Sequence, residues 1–265
     1  LPKEAGHDLS NQMSLELQAP MTVTKQEAGC ILLEEEPPLA LVTGTATACA
    51  VNQKRKHTAV SSDNGDAVLV HMLRGGKSMV ALSDGMGHGA SAQEESRKTL
   101  ELLSICLDAG YTREQAMVAV NGAMLSATGG EKFATVDVCL VDLWTGETVM
   151  NKLGACASYI VQGQKIHTVE GASLPLGIIE HAPPMEHRFV LNEGDLLLLL
   201  SDGITDAFQD QSEILRLLEN NRNQMPQQIA DTLLRESVIQ ENGLPFDDMT
   251  VLCAKVTAQK RRNKR

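Results

Sequence analysis

The 265-residue chain is 43% hydrophobic but only 3% aromatic, enough for a large core filled mainly by aliphatic side chains. Its formal net charge of −11 argues against general binding to nucleic acid or to acidic membranes, which requires a cationic surface. No apolar run approaches the ~20 residues of a membrane-spanning helix, and the cysteines, without a CxxC pair or zinc-ligand spacing, read as reduced core thiols of a cytosolic protein.

Residues 1–38 differ from the rest. They are mostly polar and end in EEEPP (34–38), where the prolines disfavour regular structure and the glutamates suggest an exposed link. The chain starts at Leu1 rather than Met and shows no signal peptide. We therefore expect 1–38 to be the tail of an upstream regulatory region or a linker, with the main domain at 39–258. The remainder, 259–265, includes KRRNKR (260–265) and reads as a solvated basic tail.

Within the domain, AVLVHML (67–73) and SMVALS (78–83) are strand-like. Gly75 and Gly76 between them predict a two-residue hairpin turn, which needs positive φ. Apolar-face positions at Ala92, Thr99, Leu100, Leu103 and Leu107, with Gly110 just beyond, predict a helix over 90–109. Thr112 and Gln115 form a capping box for a second helix ending near Thr128-Gly129-Gly130; its Met117 and Met124 read as core. Strands are expected at 135–143, 147–153, 158–162 and 165–169, three of them in a meander. GDLLLLLSDG (194–203) supplies a buried strand, Pro226 opens a helix reaching Gln240, and MTVLCAKV (249–256) closes the domain as a strand. Short connections imply mostly antiparallel neighbours, hence α/β or α+β.

Two stretches end an apolar strand on an aspartate: ALSDGMGHGAS (81–91) and LLLLLSDGIT (196–205). A hairpin centred between Gly75 and Gly76 sets Asp66 beside Asp84–Gly85. Asp202 follows one strand and Asp247-Asp248 precede another, so antiparallel pairing could bring them to one edge. A single Asp-Gly after a strand is an ordinary turn. Four or five converging carboxylates are different, since they cannot all ionise without protons or cations to neutralise them. Two divalent cations would balance four carboxylates, and all-oxygen ligation selects magnesium or manganese over zinc. The flanking glycines would let the backbone approach, so a carbonyl such as that of Gly85 could join. Such a pair of ions can activate water and clamp a phosphoryl group.

The ordered set NGD (64–66), SDGMGHG (83–89), ATVD (134–137), LPLGI (174–178), SDGIT (201–205) and DDMT (247–250) resembles the PPM-type (protein phosphatase 2C-like) metal-dependent serine/threonine phosphatases. The nearest branch is the one represented by the stage II sporulation protein E phosphatase domain, and the resemblance covers about residues 39–257. It implies an α+β fold, a sandwich of two mostly antiparallel β-sheets flanked by α-helices, with a binuclear manganese or magnesium centre at one edge. By motif, Asp84 would bridge both ions and Gly85 would lend its carbonyl. Asp66, Asp202 and Asp247 would hold the second ion, making Asp84, Asp66 and Asp202 the catalytic aspartates. Asp247 is preferred to Asp248 by its place in the motif; Asp248 otherwise reads as a turn residue or outer acceptor. The implied reaction is hydrolysis of phosphoserine or phosphothreonine by metal-activated water. The implied substrate is a phosphorylated anti-anti-sigma factor, whose dephosphorylation releases a sporulation sigma factor. The domain is expected in the cytoplasm, attached to the membrane only through an upstream region.

Some positions depart from the eukaryotic pattern. Where those relatives carry a histidine after the first DG, this chain has Met86; His88 lies between glycines and is not promoted to general acid. Lys54, Arg55 and Lys56 are phosphate-binding candidates by charge alone, against a solvated basic run. His71 reads as structural, while Thr135 and Asp137 share a strand face where either a near-site role or hydrogen-bonded packing is open. GGKS (75–78) looks like the end of a P-loop, but His71 stands where the first glycine is required and a strand follows. The remaining rival is an inactive phosphatase-like binding or regulatory module, against which the intact acidic positions argue.

Overall fold

A computed structural model describes residues 3–17, 19, 21–27, 30–51, 64–87, 89–128, 132–180 and 183–259. His88, Lys54, Arg55, Lys56, the Gly129-Gly130 stop and the 260–265 tail lie outside the described residues.

The first elements are a helix, α1 (Lys3–Leu17), and a hairpin of β1 (Met21–Glu27) and β2 (Cys30–Glu35). Ser10 Oγ donates to the Met21 carbonyl (2.6 Å) and Met21 N donates to Ser14 Oγ (2.8 Å), tying helix to hairpin. Regular structure thus reaches Glu35, where the sequence suggested an irregular link. Ile31 and Leu33 alternate as the less exposed face of β2, a period-two signal that the polar surroundings obscure.

The main domain begins with β3 (Leu39–Ala48), β4 (Asp66–Leu73) and β5 (Lys77–Asp84), followed by α2 (Ala90–Asp108) and α3 (Arg113–Thr128). Next come β6 (Val136–Asp142), β7 (Glu147–Leu153), β8 (Ser158–Gln162), β9 (Lys165–Val169), β10 (Met185–Val190) and β11 (Leu196–Leu200). The chain then forms α4 (Asp202–Asp206), α5 (Gln211–Asn221), α6 (Pro226–Gln240) and β12 (Met249–Ala258). Thr112 and Gln115 close the expected capping box, with reciprocal hydrogen bonds of 2.9 and 3.3 Å.

Two five-stranded antiparallel sheets result, ordered β10-β7-β6-β5-β4 and β3-β12-β11-β8-β9. Val80, Leu82, Val141 and Met150 from one sheet meet Ile160, Leu197, Leu199 and Leu252 from the other. On the outer face of the first sheet, Met79 and Ala81 pack with Leu100, Leu103, Met117 and Val120 of α2 and α3. On the outer face of the second, Leu196, Leu198 and Leu200 pack with Ile229 and Leu233 of α6. The leucine run is explained by this layering: alternate residues serve different cores, so both faces must be apolar. The fold is the α+β sandwich that the resemblance implies.

Three local expectations are corrected. Leu73 pairs with Lys77, so the β4–β5 loop holds three residues (74–76), with Gly75 and Gly76 at φ 75° and 73°. The longer loop is held from the β6–β7 turn, where Trp144 Nε1 donates to the Gly75 carbonyl (3.1 Å) and Leu143 N to that of Gly76 (2.9 Å). The expected meander is also split: β6–β7 and β8–β9 are hairpins in different sheets, and the chain crosses between sheets at 154–157. Cys139 and Cys253 are buried thiols, whereas Cys30 is exposed on β2, contrary to its reading as a core thiol.

Candidate active site

Asp66 opens β4 and Asp84 closes β5, and the two are direct cross-strand partners. Asn64 fixes the entry to β4 from both sheets. Its Oδ1 accepts from Asp66 N (2.7 Å), while its Nδ2 donates to the carbonyls of Ala48 (3.0 Å) and Met249 (3.2 Å). Asp84 is held through its backbone: its N donates to Thr135 Oγ1 (3.2 Å) and its carbonyl accepts from Thr135 N (2.8 Å). Gly85 bridges to Ala134, and Ala134 to Leu176, which brings the LPLGI stretch alongside.

The other sheet supplies the second pair. Asp202 follows β11, and Asp247-Asp248 lead into its neighbour β12. Ser201 joins these ends, its N donating to the Thr250 carbonyl (3.0 Å) and its Oγ accepting from Thr250 N (2.8 Å). Asp248 is buried, its Oδ1 accepting from Ala50 N (2.8 Å) and its Oδ2 from Gly65 N (2.7 Å). It is therefore an acceptor organising three chain segments, and the solvated-turn reading is excluded.

The two strand ends adjoin, since Asp248, next to Asp247, accepts from Gly65 N, next to Asp66. Burial pushes Asp84 up to about 8, and repulsion from Asp66, Asp202 and Asp247 adds to it. Burial likewise pushes Asp66 up to about 7, with Asp248 and Asp202 repelling. The nearby Thr250 and Ser201 hydroxyls pull Asp66 downward, yet neither closes a well-formed hydrogen bond, and both its carboxylate oxygens are buried without a partner. Asp202 is solvent-exposed overall, but protein desolvates one side of its carboxyl and Asp247 repels it, so it too is raised. No three Asp, Glu, His or Cys side chains among the described residues converge on one ion-sized point; the acids stand as neighbouring pairs.

The glycines permit close packing beside the aspartates. A Cβ on Gly85 would lie 2.5 Å from the Ala92 carbonyl oxygen and 2.6 Å from Ser96 Oγ, both on α2. One on Gly203 would lie 2.3 Å from the Asp248 carbonyl oxygen. On the side where a Cβ would project, each of these glycines is thus closely packed against protein. Gly203→Ala should cost about 1–3 kcal/mol by overpacking, read as a lower urea midpoint with an unchanged m-value.

Met86 is exposed and carries no transferable proton. His71 is tied to Asp108 at the end of α2 (Nε2···Oδ2, 2.6 Å), a strand-to-helix link outside the acidic cluster. Asp137 takes no place in the cluster either, being fully buried with Lys152 and Ser158. Asn64, Ser201 and Thr250 lie inside the quoted motifs, but sequence reasoning gave them no role; each is needed because an aspartate at a strand end must have its backbone fixed from the adjoining strands.

Two antiparallel sheets between helical layers, with aspartates of both at adjoining strand ends, are the architecture of a PP2C phosphatase domain. Residues 74–257 match the family model described as stage II sporulation protein E (SpoIIE). The chain belongs to that family. Stage II sporulation protein E of Priestia megaterium is 32% identical over 197 residues, covering 73% of this chain but 34% of that protein, so the chain spans about a third of the relative's length. The solved PP2C phosphatase domain and regulatory-domain fragment of SpoIIE from Bacillus subtilis matches with a TM-score of 0.75 and 27% identity, over 98% of this chain and 77% of that one. The serine/threonine phosphatase Stp1 from Staphylococcus aureus shares the fold at TM-score 0.65 and 18% identity, over 84% of this chain and 97% of that one.

Proposed function

We propose that this domain hydrolyses phosphoserine and phosphothreonine in a protein substrate, using two divalent cations, manganese or magnesium. Asp66, Asp84, Asp202, Asp247 and the carbonyl of Gly85 would hold them. The observation that carries this reading is Asp66, a buried carboxylate with neither oxygen hydrogen-bonded, facing a second raised carboxylate across the strand pair. Buried charges of one sign are costly unless paired or bound to metal, and an all-oxygen set suits a hard cation. When bound, the ions supply an activated water and neutralise the phosphoryl oxygens.

The chain's own groups divide the remaining work. Asp84, held high by burial and repelled by Asp66, Asp202 and Asp247, would be one of the carboxylates that hold the cations. Asp248 accepts from Ala50 N and Gly65 N with its two oxygens, whereas Asp247 Oδ1 accepts from Asp248 N (2.7 Å); Asp247 is assigned to a cation by its place in the motif. Thr135 holds the backbone of Asp84 at the mouth.

Family membership supports a phosphorylated anti-anti-sigma factor as the substrate, with release of a sporulation sigma factor as the consequence. Residues 1–38 would belong to a regulatory region, in keeping with the regulatory-domain fragment of the Bacillus subtilis structure aligned over 98% of this chain. Membrane attachment would come through other regions; no helix among the described residues is long and apolar enough to cross a membrane. The test is turnover of a phosphoserine anti-anti-sigma protein with manganese and after chelation. We expect activity to disappear with chelation and return with manganese. Undiminished turnover in chelator would exclude the two-cation reading, and inactivity under every condition would favour the binding-module alternative.

A further inference from the structure

Asp137 on β6, Lys152 on β7 and Ser158 at the start of β8 are each 0% exposed. Asp137 and Lys152 are cross-strand partners in one sheet, whereas Ser158 belongs to the other. Asp137 Oδ2 accepts from both Lys152 Nζ and Ser158 Oγ, and Lys152 Nζ also donates to Ser158 Oγ (2.8 Å). The other oxygen of Asp137 has no hydrogen-bond partner. A charged group of this kind, wholly inside a sandwich, has no part in the proposed chemistry and needs its own explanation.

The acidic cluster is divided between the sheets: Asp66 and Asp84 come from one, Asp202 and Asp247 from the other. Its carboxylate spacing therefore depends on how the sheets are registered. Aliphatic contact between them is non-directional and tolerates sliding. A charge-assisted triad is directional and is satisfied in one registration. It also adjoins both halves of the cluster. Asp137 pairs with Leu82 on β5, the strand that ends at Asp84. Just before Ser158, Cys156 Sγ donates to the carbonyl of Leu200 (2.9 Å), the last residue of β11 before Ser201 and Asp202.

We propose that Asp137, Lys152 and Ser158 are positioning residues that register the two sheets and so set the separation of the two carboxylate pairs. The inference rests on the two-cation reading of the site. A buried ion pair need not add stability over apolar side chains of similar volume, which separates positioning from support of the fold.

The test uses the full chain with Asp137→Leu, Lys152→Met and Ser158→Ala combined, so that no partner is left buried alone. Thermal unfolding in chelator should match or exceed wild type, while the manganese dissociation constant, read from the free Mn(II) EPR signal, should rise about tenfold or more. A folded triple variant that binds manganese as tightly as wild type overturns the inference. Ser158→Ala alone keeps the ion pair and cuts its tie to the second sheet; it should weaken manganese binding in the same direction. If the triple variant does not fold, unchanged affinity in Ser158→Ala overturns the inference instead. Wild type that binds no manganese overturns the proposed function, an outcome distinct from equal binding by wild type and variant.

Discussion

Asp84→Asn is expected to lower phosphoserine-protein turnover more than about a hundredfold at saturating manganese, since losing even an outer partner of a metal ligand costs about 10–100-fold. The substitution keeps the side-chain shape and removes the cost of protonating, or leaving charged, a carboxyl that burial and then Asp66, Asp202 and Asp247 hold at about 8. In chelator it should therefore raise the thermal midpoint. Loss of activity together with gain of stability is the signature of a group kept for function, because a structural carboxylate would lose both. Turnover within a few-fold of wild type would remove Asp84 from the proposed chemistry.

The same groups determine the pH dependence of the cation-free chain. The ordinary carboxyl value is 3.8, whereas burial holds folded Asp66 at about 7 and Asp84 at about 8. Between these limits the folded state keeps protons that the unfolded chain has released. Stability must then fall as pH rises from about 4 to about 8, opposite to the trend of a salt-bridged aspartate. Chelated protein should melt at a higher temperature near pH 5 than near pH 8. Manganese should flatten that slope by replacing the protons, and Asp84→Asn should remove much of it. A flat profile in chelator would mean that the carboxylates are not desolvated together.

What sequence could reveal depended on how local the determining contacts were. The facing of Asp66 and Asp84 was legible because a short loop joins their strands and small errors of register leave them neighbours; the actual loop is one residue longer because Trp144, from another hairpin, docks on it. Asp202 and Asp247 could be brought together by strand direction alone. The close packing at Gly85 and Gly203 was not legible, since the atoms that exclude a Cβ there belong to α2 and to Asp248, and no spacing rule identifies them. Likewise, the sheet membership of β7 and β8 is decided by a crossing at 154–157, a four-residue connection whose length alone does not distinguish a hairpin from a change of sheet. Lys152 illustrates the limit. In ETVMNKL it reads as a polar end of a strand, and its burial follows only from the second sheet closing over it.

Lys152→Met alone is expected to be the most damaging single change to the fold, costing about 3–5 kcal/mol in urea unfolding. Burial already holds Asp137 above the ordinary carboxylate range, against the pull of Lys152 and Ser158. Without the ammonium, that carboxylate must either stay charged and unpaired or take up a proton. In the second case the variant's deficit should shrink as pH falls, because its folded state then binds a proton that the unfolded chain has released. Adding Asp137→Leu to Lys152→Met should restore most of the lost stability, since no charge is then left buried. The single and double variants thus separate the cost of breaking the pair from the worth of having it. A single variant within about 1 kcal/mol of wild type would show that water reaches the pair, and a double variant no more stable than the single would show that the site needs polar groups to pack at all.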